Sequence, residues 1–590
     1  MNKLRYSLSV AMAIMVLIIG CKKNILDNAP QDVYSDKTFW TTKKDVMAAI
    51  TGCYYNWENA NNILLNDCFT DNGYYTGFGG MYEVFASGNT SASVNFTPVF
   101  YEYNTIYTCN WFLENVDKVN SDIVDNSLKA GLKGEARFIR AYRYFILSQF
   151  YRDVPLITAT QTVAQARVNK QAPKAEITDF ILSELAAIAP DLPVAYTNGA
   201  DIGRVTRGAA LALKARVELF NKKYTDCIAT CKQLMAAPFN YSLFTSFDPD
   251  ANAYEELFRP GNVNQQLNRE NILDIQYKLN QNDKNILQTM AIFPVGLSWV
   301  CVPQSLVDAY ETVNGLTINN DSDYDPAQPY ENRDKRLDAS IIRPGLQYNG
   351  IYFDPITPAF GPPPLGPPMG PPMGPPMGPP MGPPILDPPP MGPPPATTGY
   401  TLFPSNDKAN FQNSPTGYNP KKYLSVLNDY YNSAYGMQSL DKTGGNVMVI
   451  RYAEVLLTYA EAQIEGGTID ASVYDAINQL RSRAGLPNVT SGSQAAMREL
   501  VRRERRVELA GEGLRWFDIV RWGIGSTVMN APVMACPEGT VNRENGELSL
   551  QVGSNAVVAP RSYTPKYNVF PIPAVELQQN RNIIQNVEYR

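Results

Sequence analysis

The chain contains no histidine in 590 residues. That absence removes every mechanism built on imidazole: Ser-His-Asp triads, Cys-His dyads, HExxH zinc sites and histidine proton shuttles. No Gly-Lys dipeptide occurs, so there is no Walker A loop. Cysteine is sparse. Of eight, only Cys227 and Cys231 lie close together, at i,i+4 on a predicted helix, and no CxxC is present. Buried, small apolar cysteines are the expected reading. Positive charge is also short. The net charge is −6, which argues against nucleic acid, since phosphate neutralisation needs clustered Lys and Arg.

The first apolar stretch, 10–19, is too short to span a bilayer. It follows Lys3 and Arg5 and ends in Leu17-Ile18-Ile19-Gly20-Cys21. This is the form of a lipoprotein signal peptide over 1–20, with the Cys21 thiol lipidated and 21–30 serving as a tether. Several acyl chains at about 0.8 kcal/mol per buried CH₂ give a firm anchor. No later run of eighteen apolar residues occurs, so the body is expected to be water-soluble and tethered.

Helical periodicity dominates both ends. Helices are predicted near 43–55, 101–119, 132–150, 206–220, 448–464, 470–484, 494–510 and 514–522. The clearest stripe is Leu132, Ala136, Ile139, Arg143, Ile146 and Phe150, spaced 4, 3, 4, 3 and 4. Gly485 and Pro487 stop the helix at 470–484. Paired helices with alanine at their contacts predict a mainly α protein of tetratricopeptide-like hairpins, an α-solenoid scaffold with few short strands. The pattern divides the chain into a helical region at 31–245, an irregular lobe at 246–445 and a helical region at 446–590. Within the lobe, 272–277 reads as a strand. Residues 361–395 repeat Gly-Pro-Pro-Met, with Met369, Met373, Met377 and Met381. A period of four excludes collagen and favours polyproline II broken at each Gly. Its bland reading is an expanded surface loop; a Met-bearing lid or docking tether is the other.

Asp321-Ser322-Asp323-Tyr324-Asp325 begins like an EF-hand. Pro326 replaces the required Gly, and Asn332 stands where Glu belongs. A capped turn is expected, with a structural calcium as the alternative; no other metal and no cofactor is indicated. Arg502, Arg503, Arg505 and Arg506 with Glu499, Glu504 and Glu508 predict a ladder of ion pairs along one helix.

The chain is rich in rings, with 35 Tyr, 23 Phe and 6 Trp. Asp71-Asn72-Gly73-Tyr74-Tyr75-Thr76-Gly77-Phe78, followed by Tyr82 and Phe85, is a glycine-containing segment with too many rings to bury locally. Exposed rings stack on the C–H faces of sugars, while Asn and Asp bond the hydroxyls. Asp71, Asn72, Tyr74, Tyr75, Phe78, Tyr82 and the loop residue Trp299 are the candidate ligand-binding residues. The plainer alternative is that these rings pack on the helices beneath. No catalytic residue is indicated, although 57 acids leave room for an unmarked pair of the glycosidase type.

Several segments resemble the SusD/RagB nutrient-uptake outer-membrane lipoproteins. They are Leu132-Lys133-Gly134-Glu135-Ala136-Arg137-Phe138-Ile139-Arg140-Ala141-Tyr142, Asp153-Val154-Pro155-Leu156, Arg451-Tyr452-Ala453-Glu454-Val455-Leu456-Leu457, and Asn478-Gln479-Leu480-Arg481-Ser482-Arg483-Ala484-Gly485-Leu486-Pro487. Arg503-Glu504-Arg505-Arg506-Val507-Glu508-Leu509, Gly513-Leu514-Arg515-Trp516-Phe517-Asp518 and the near-terminal Pro571-Ile572-Pro573 continue the order. With Cys21, these cover most of the chain. Lys335 in Asn332-Arg333-Asp334-Lys335-Arg336-Leu337, and Arg581, stand where the family usually has Pro. The Gly-Pro-Pro-Met run is no family feature.

The resemblance implies four tetratricopeptide-like hairpins and a lobe that bears the ligand site. It implies a lipid-anchored protein on the outer face of the outer membrane, capping a SusC-like TonB-dependent barrel and capturing oligosaccharides without catalysis. Peptide capture on the same scaffold and a surface-tethered glycoside hydrolase are the alternatives. The resemblance assigns no ligand residue by position.

Overall fold

The computed structural model describes residues 39–77, 81–93, 100–259, 268–277, 290, 298–348, 350–357, 414–424 and 445–590. Cys21, the segment before it, Phe78 and the Gly-Pro-Pro-Met run lie outside them.

The helices form a row. In chain order they are α1 (Lys43–Tyr54), α2 (Asn104–Asn115), α3 (Asn126–Tyr151), α4 (Lys174–Ile188), α5 (Arg207–Phe220), α6 (Tyr224–Leu234), α7 (Tyr452–Glu465), α8 (Ala471–Ala484), α9 (Gln494–Glu508) and α10 (Arg515–Trp522). From α1 to α8 each packs on the next, and α9 packs on α7. This is the helical-hairpin architecture that the alanine-rich periodic stretches predict. No described helix is long and apolar enough to cross a membrane.

Local chemistry sets the ends. Asp125, Thr206, Asp470 and Ser493 cap α3, α5, α8 and α9 by accepting hydrogen bonds from first-turn amides. Gly485 ends α8 at φ +75°, a left-handed conformation that costs glycine little. The whole predicted stripe of α3 is buried, Arg143 included. Helix α3 also approaches the turn after α4 closely. A Cβ on Gly134 would sit 3.1 Å from Leu192 Cδ2.

Helix α6 packs directly on α7, although more than 200 residues of chain separate them. The chain between them is therefore inserted between two neighbours of the row. Strand β2 (Asn271–Ile275) near its start pairs antiparallel with β6 (Val447–Arg451) at its end. This corrects the sequence expectation, which ran one helix through 448–464. Val447, Met448, Val449 and Ile450 are strand, and the helix starts at Tyr452. An apolar run with three β-branched residues, Val447, Val449 and Ile450, favours strand once a partner strand is available. Other short strands are β1 (Tyr74–Tyr75), β3 (Val300–Cys301), β4 (Ile341–Ile342) and β5 (Asn419–Pro420), of which β4 and β5 pair antiparallel.

The arginines of α9 do not form a ladder along their own helix. Their partners lie on other elements. Glu504 accepts from Arg336 (2.9 Å) and Arg481 (2.7 Å), and Glu508 accepts from Arg336 (2.9 Å), Arg451 (2.7 Å) and Arg483. Arg503 pairs with Glu311 and Arg505 with Asp518. Burial alone would raise the Glu508 carboxyl, but Arg483, Arg451 and Arg336 outweigh it and hold the group well below the usual carboxylate range. An isolated ladder would be worth little in water. Buried and cross-linked, these charges fix Glu311 and Arg336 on α8 and α9.

Most described rings are core. Phe150 stacks on Phe100 at 4.1 Å and lies 4.8 Å from Trp516 and 4.9 Å from Phe570. Phe69 and Phe85 join the same knot. It ties α3 to α10 and to the near-terminal Pro-Ile-Pro segment.

Candidate functional site

The ring-bearing segment rests on a turn that arginines hold from three directions. Arg515, at the start of α10, donates two hydrogen bonds of 2.8 Å to the Asp71 carboxylate. Arg506 of α9 stands 3.0 Å from the same carboxylate and donates to Asn72 Oδ1 at 2.8 Å. Arg561 donates to the Gly73 carbonyl at 2.7 Å and to that of Thr70. Burial pushes the Asp71 carboxyl up, yet Arg506 and Arg515 overcome it and bring it to about 2. Asp67 sits beside them with fewer partners. Burial pushes it up to about 6, although the Gly511 N–H donates to it at 2.8 Å. Asp71 and Asn72, expected to face a sugar, are thus buried and turned to arginines.

The chain leaves this turn as β1, which pairs antiparallel with β3: Tyr74 opposes Cys301 and Tyr75 opposes Val300. The Thr76 N–H continues the ladder to the Trp299 carbonyl at 2.8 Å. This pairing brings together rings far apart in sequence. Tyr75 and Trp299 meet edge to face with centroids 6.1 Å apart. Tyr82 lies 5.0 Å beyond Tyr75, and Phe69 stacks beneath Tyr82 at 6.1 Å. Tyr75 and Tyr82 are buried, while Trp299 is half-buried, so the stack runs from the surface into the core. Gly77 lets Tyr75 fold back on the chain. A Cβ there would overlap the Tyr75 ring.

Side chains alternate along a strand, so Tyr74 leaves on the opposite face from Tyr75. It lies half-buried near Glu83 and Arg561. Of the predicted residues, the structure gathers Tyr75, Tyr82 and Trp299, sets Tyr74 apart on the other face and places Asp71 and Asn72 below. Sequence reasoning missed Arg506, Arg515, Arg561 and Glu83. Nothing local marks a lone arginine at 561. The doublet in the arginine-rich helix gave a signal, but it pointed to partners on the same helix.

The acidic turn at 321–325 lies elsewhere, at a cleft of about 290 Å³. Asp321 accepts from Thr312 Oγ1, from Asn314 Nδ2 and from the Asp323 N–H, which makes it a turn acceptor. No group of three or more His, Cys, Asp or Glu side chains among the described residues is placed to hold a metal ion.

Comparison with known proteins adds an independent line. Residues 263–589 match the model described as the SusD family, and 18–219 match one described as starch-binding, associating with outer membrane. The SusD-like protein P2 of Formosa agariphila is 23% identical, across 98% of both chains. A SusD-like carbohydrate-binding protein of Bacteroides fragilis superposes with a TM-score of 0.74 at 26% identity, covering 92% of this chain and 99% of that one. A laminarin-binding SusD-like protein shares the fold, with a TM-score of 0.61 at 19% identity, over 93% of this chain and 100% of its own. The SusD model alone takes in more than half of the residues, in the order and architecture described above, and this chain belongs to the SusD family.

Proposed function

We propose that this protein captures oligosaccharides at the outer face of the outer membrane, anchored through lipidated Cys21, and delivers them to a SusC-like TonB-dependent barrel. It binds and does not catalyse. The observation that carries this reading is the ring stack headed by Trp299. The half-buried indole, braced edge-on by Tyr75, is a ring of the kind that stacks on the C–H side of a sugar, and the bracing limits the entropy lost on binding. The Bacteroides fragilis relative is named as carbohydrate-binding and one matched model as outer-membrane-associated, and both agree with it. Acids near the stack argue against hydrolysis. Asp71 is held by arginines and Glu83 by Arg561 at 2.9 Å, so neither is a free partner in an acid pair.

The test is calorimetry of the protein from Lys22 onward against neutral and charged polysaccharides and peptides, with assay of reducing ends. Saturable glycan binding without new reducing ends is expected. Release of reducing ends would replace the reading with hydrolysis, and binding confined to peptides would replace it with peptide capture.

A further inference from the structure

Arg561 reaches the ring-bearing segment from the far end of the chain. Its side chain is buried, and its guanidinium donates to the carbonyls of Cys68 (3.4 Å), Thr70 and Gly73 (2.7 Å) and to Glu83 Oε1 (2.9 Å). The first three acceptors come just before β1. Glu83 belongs to the short helix Met81–Ala86 that follows it. The acceptors therefore flank residues 74–82, which carry Tyr74, Tyr75 and Tyr82. The Tyr75 amide is also directed at Glu83. The neighbouring chain reinforces the contact. A Cβ on Gly88 would lie 2.9 Å from the Ser562 carbonyl, and Tyr567 donates its hydroxyl to the Gly88 carbonyl.

We propose that Arg561 is a positioning residue that ties the turn before β1 to the helix Met81–Ala86, keeping Tyr75 and Tyr82 packed beneath Trp299 before ligand arrives. The proposal rests on the reading above that this stack meets the ligand. Only arginine suits the position. Its planar fork presents five N–H donors in fixed directions, whereas lysine offers three from a single point and cannot reach acceptors on both sides. With the tie cut, Tyr75 and Tyr82 must be ordered by the ligand itself, and that entropy is lost from affinity.

Arg561→Lys keeps the charge and removes the fork; Glu83→Gln keeps an acceptor and serves as the milder variant. Two readouts separate local from global effects. Without ligand, hydrogen exchange at the Thr76 amide is expected to quicken about tenfold or more in Arg561→Lys, and less in Glu83→Gln, with amides of α7 unchanged. With the glycan that binds the wild-type protein best, Arg561→Lys is expected to bind about tenfold more weakly, the loss appearing in the entropy of binding. Wild-type exchange at Thr76, wild-type affinity, or exchange quickened equally in α7 would overturn the proposal. A wild-type protein that binds no glycan would sink the functional reading instead, and the exchange experiment would still decide whether Arg561 holds the segment.

Discussion

Arg515 and Asp71 form a two-pronged ion pair, with both hydrogen bonds at 2.8 Å, across 444 positions of sequence. It is buried and shared with Arg506, and it joins the α10 end of the scaffold to the turn beneath the ring stack. Removing the anion leaves two arginines short of a partner in a dry setting. Breaking a buried pair from one side costs about 3–5 kcal/mol. Asp71→Asn is expected to lower unfolding free energy by about 3 kcal/mol in urea titrations. The double change Asp71→Leu with Arg515→Met should recover part of that loss. Equal stability of Asp71→Asn and wild type would show that the pair contributes nothing.

The same turn predicts a stability optimum in mild acid. Asp71 has its folded pKa lowered to about 2, against about 3.9 in an unfolded chain. Its contribution is therefore present above pH ~4 and is lost as pH falls towards 2, a change of about 2 kcal/mol. Asp67 and Asp274 are pushed by burial up to about 6. Their contribution has the opposite sign, present below pH ~4 and lost as pH rises through 6. The urea midpoint should climb from pH 7 to about 5 and fall from 4 to 2. Asp67→Asn should remove about half of the first limb, the rest belonging to Asp274, and leave the second. A midpoint that rises steadily from pH 2 to 7 would contradict this assignment.

Phe150 is the centre of the aromatic knot, within 5 Å of Phe100, Trp516 and Phe570. A close-packed site with partners from three parts of the chain collapses poorly around a void. Phe150→Ala is expected to cost about 3–5 kcal/mol. Denaturation followed by far-ultraviolet circular dichroism checks it, and a loss below about 1 kcal/mol would mean that the knot is loosely packed.

Gly485 tests local backbone strain. At φ +75° an added Cβ is disfavoured, and the nearest atom it would meet is the flexible Lys335 Cε at 3.2 Å. Gly485→Ala is expected to cost about 1–2 kcal/mol through conformation alone. A thermal melt showing no loss would mean that the end of α8 relaxes out of the left-handed region.

The scaffold was legible where one helix face carries its own signal. The α3 stripe and the Gly485 stop each depend on residues within one or two turns. Helix α4 carried the same signal, with Ile177, Ile181, Leu185 and Ile188 buried on one face, but was not singled out. The helix expected over 448–464 takes in strand residues 448–451, because an apolar run fits helix or strand equally until its partner, β2, is known. The site was legible only in part. Tyr75, Tyr82 and Trp299 stood out as rings in loops, and β1–β3 pairing brings them together. Asp71 and Asn72 looked like sugar ligands because their partners, Arg506 and Arg515, are more than 400 residues away, and a buried ion pair leaves no local pattern. The abundance of rings overstated the ligand surface, since most described rings build the core.

The most direct test of the ring stack is the affinity of Trp299→Ala for the best glycan of the panel, beside a thermal melt of the same variant. The half-buried indole heads the stack, so its loss should cost stacking far more than folding. The account predicts about tenfold weaker binding or worse, with a melting temperature close to wild type. Unchanged affinity would contradict it and leave Trp299 and Tyr75 as packing.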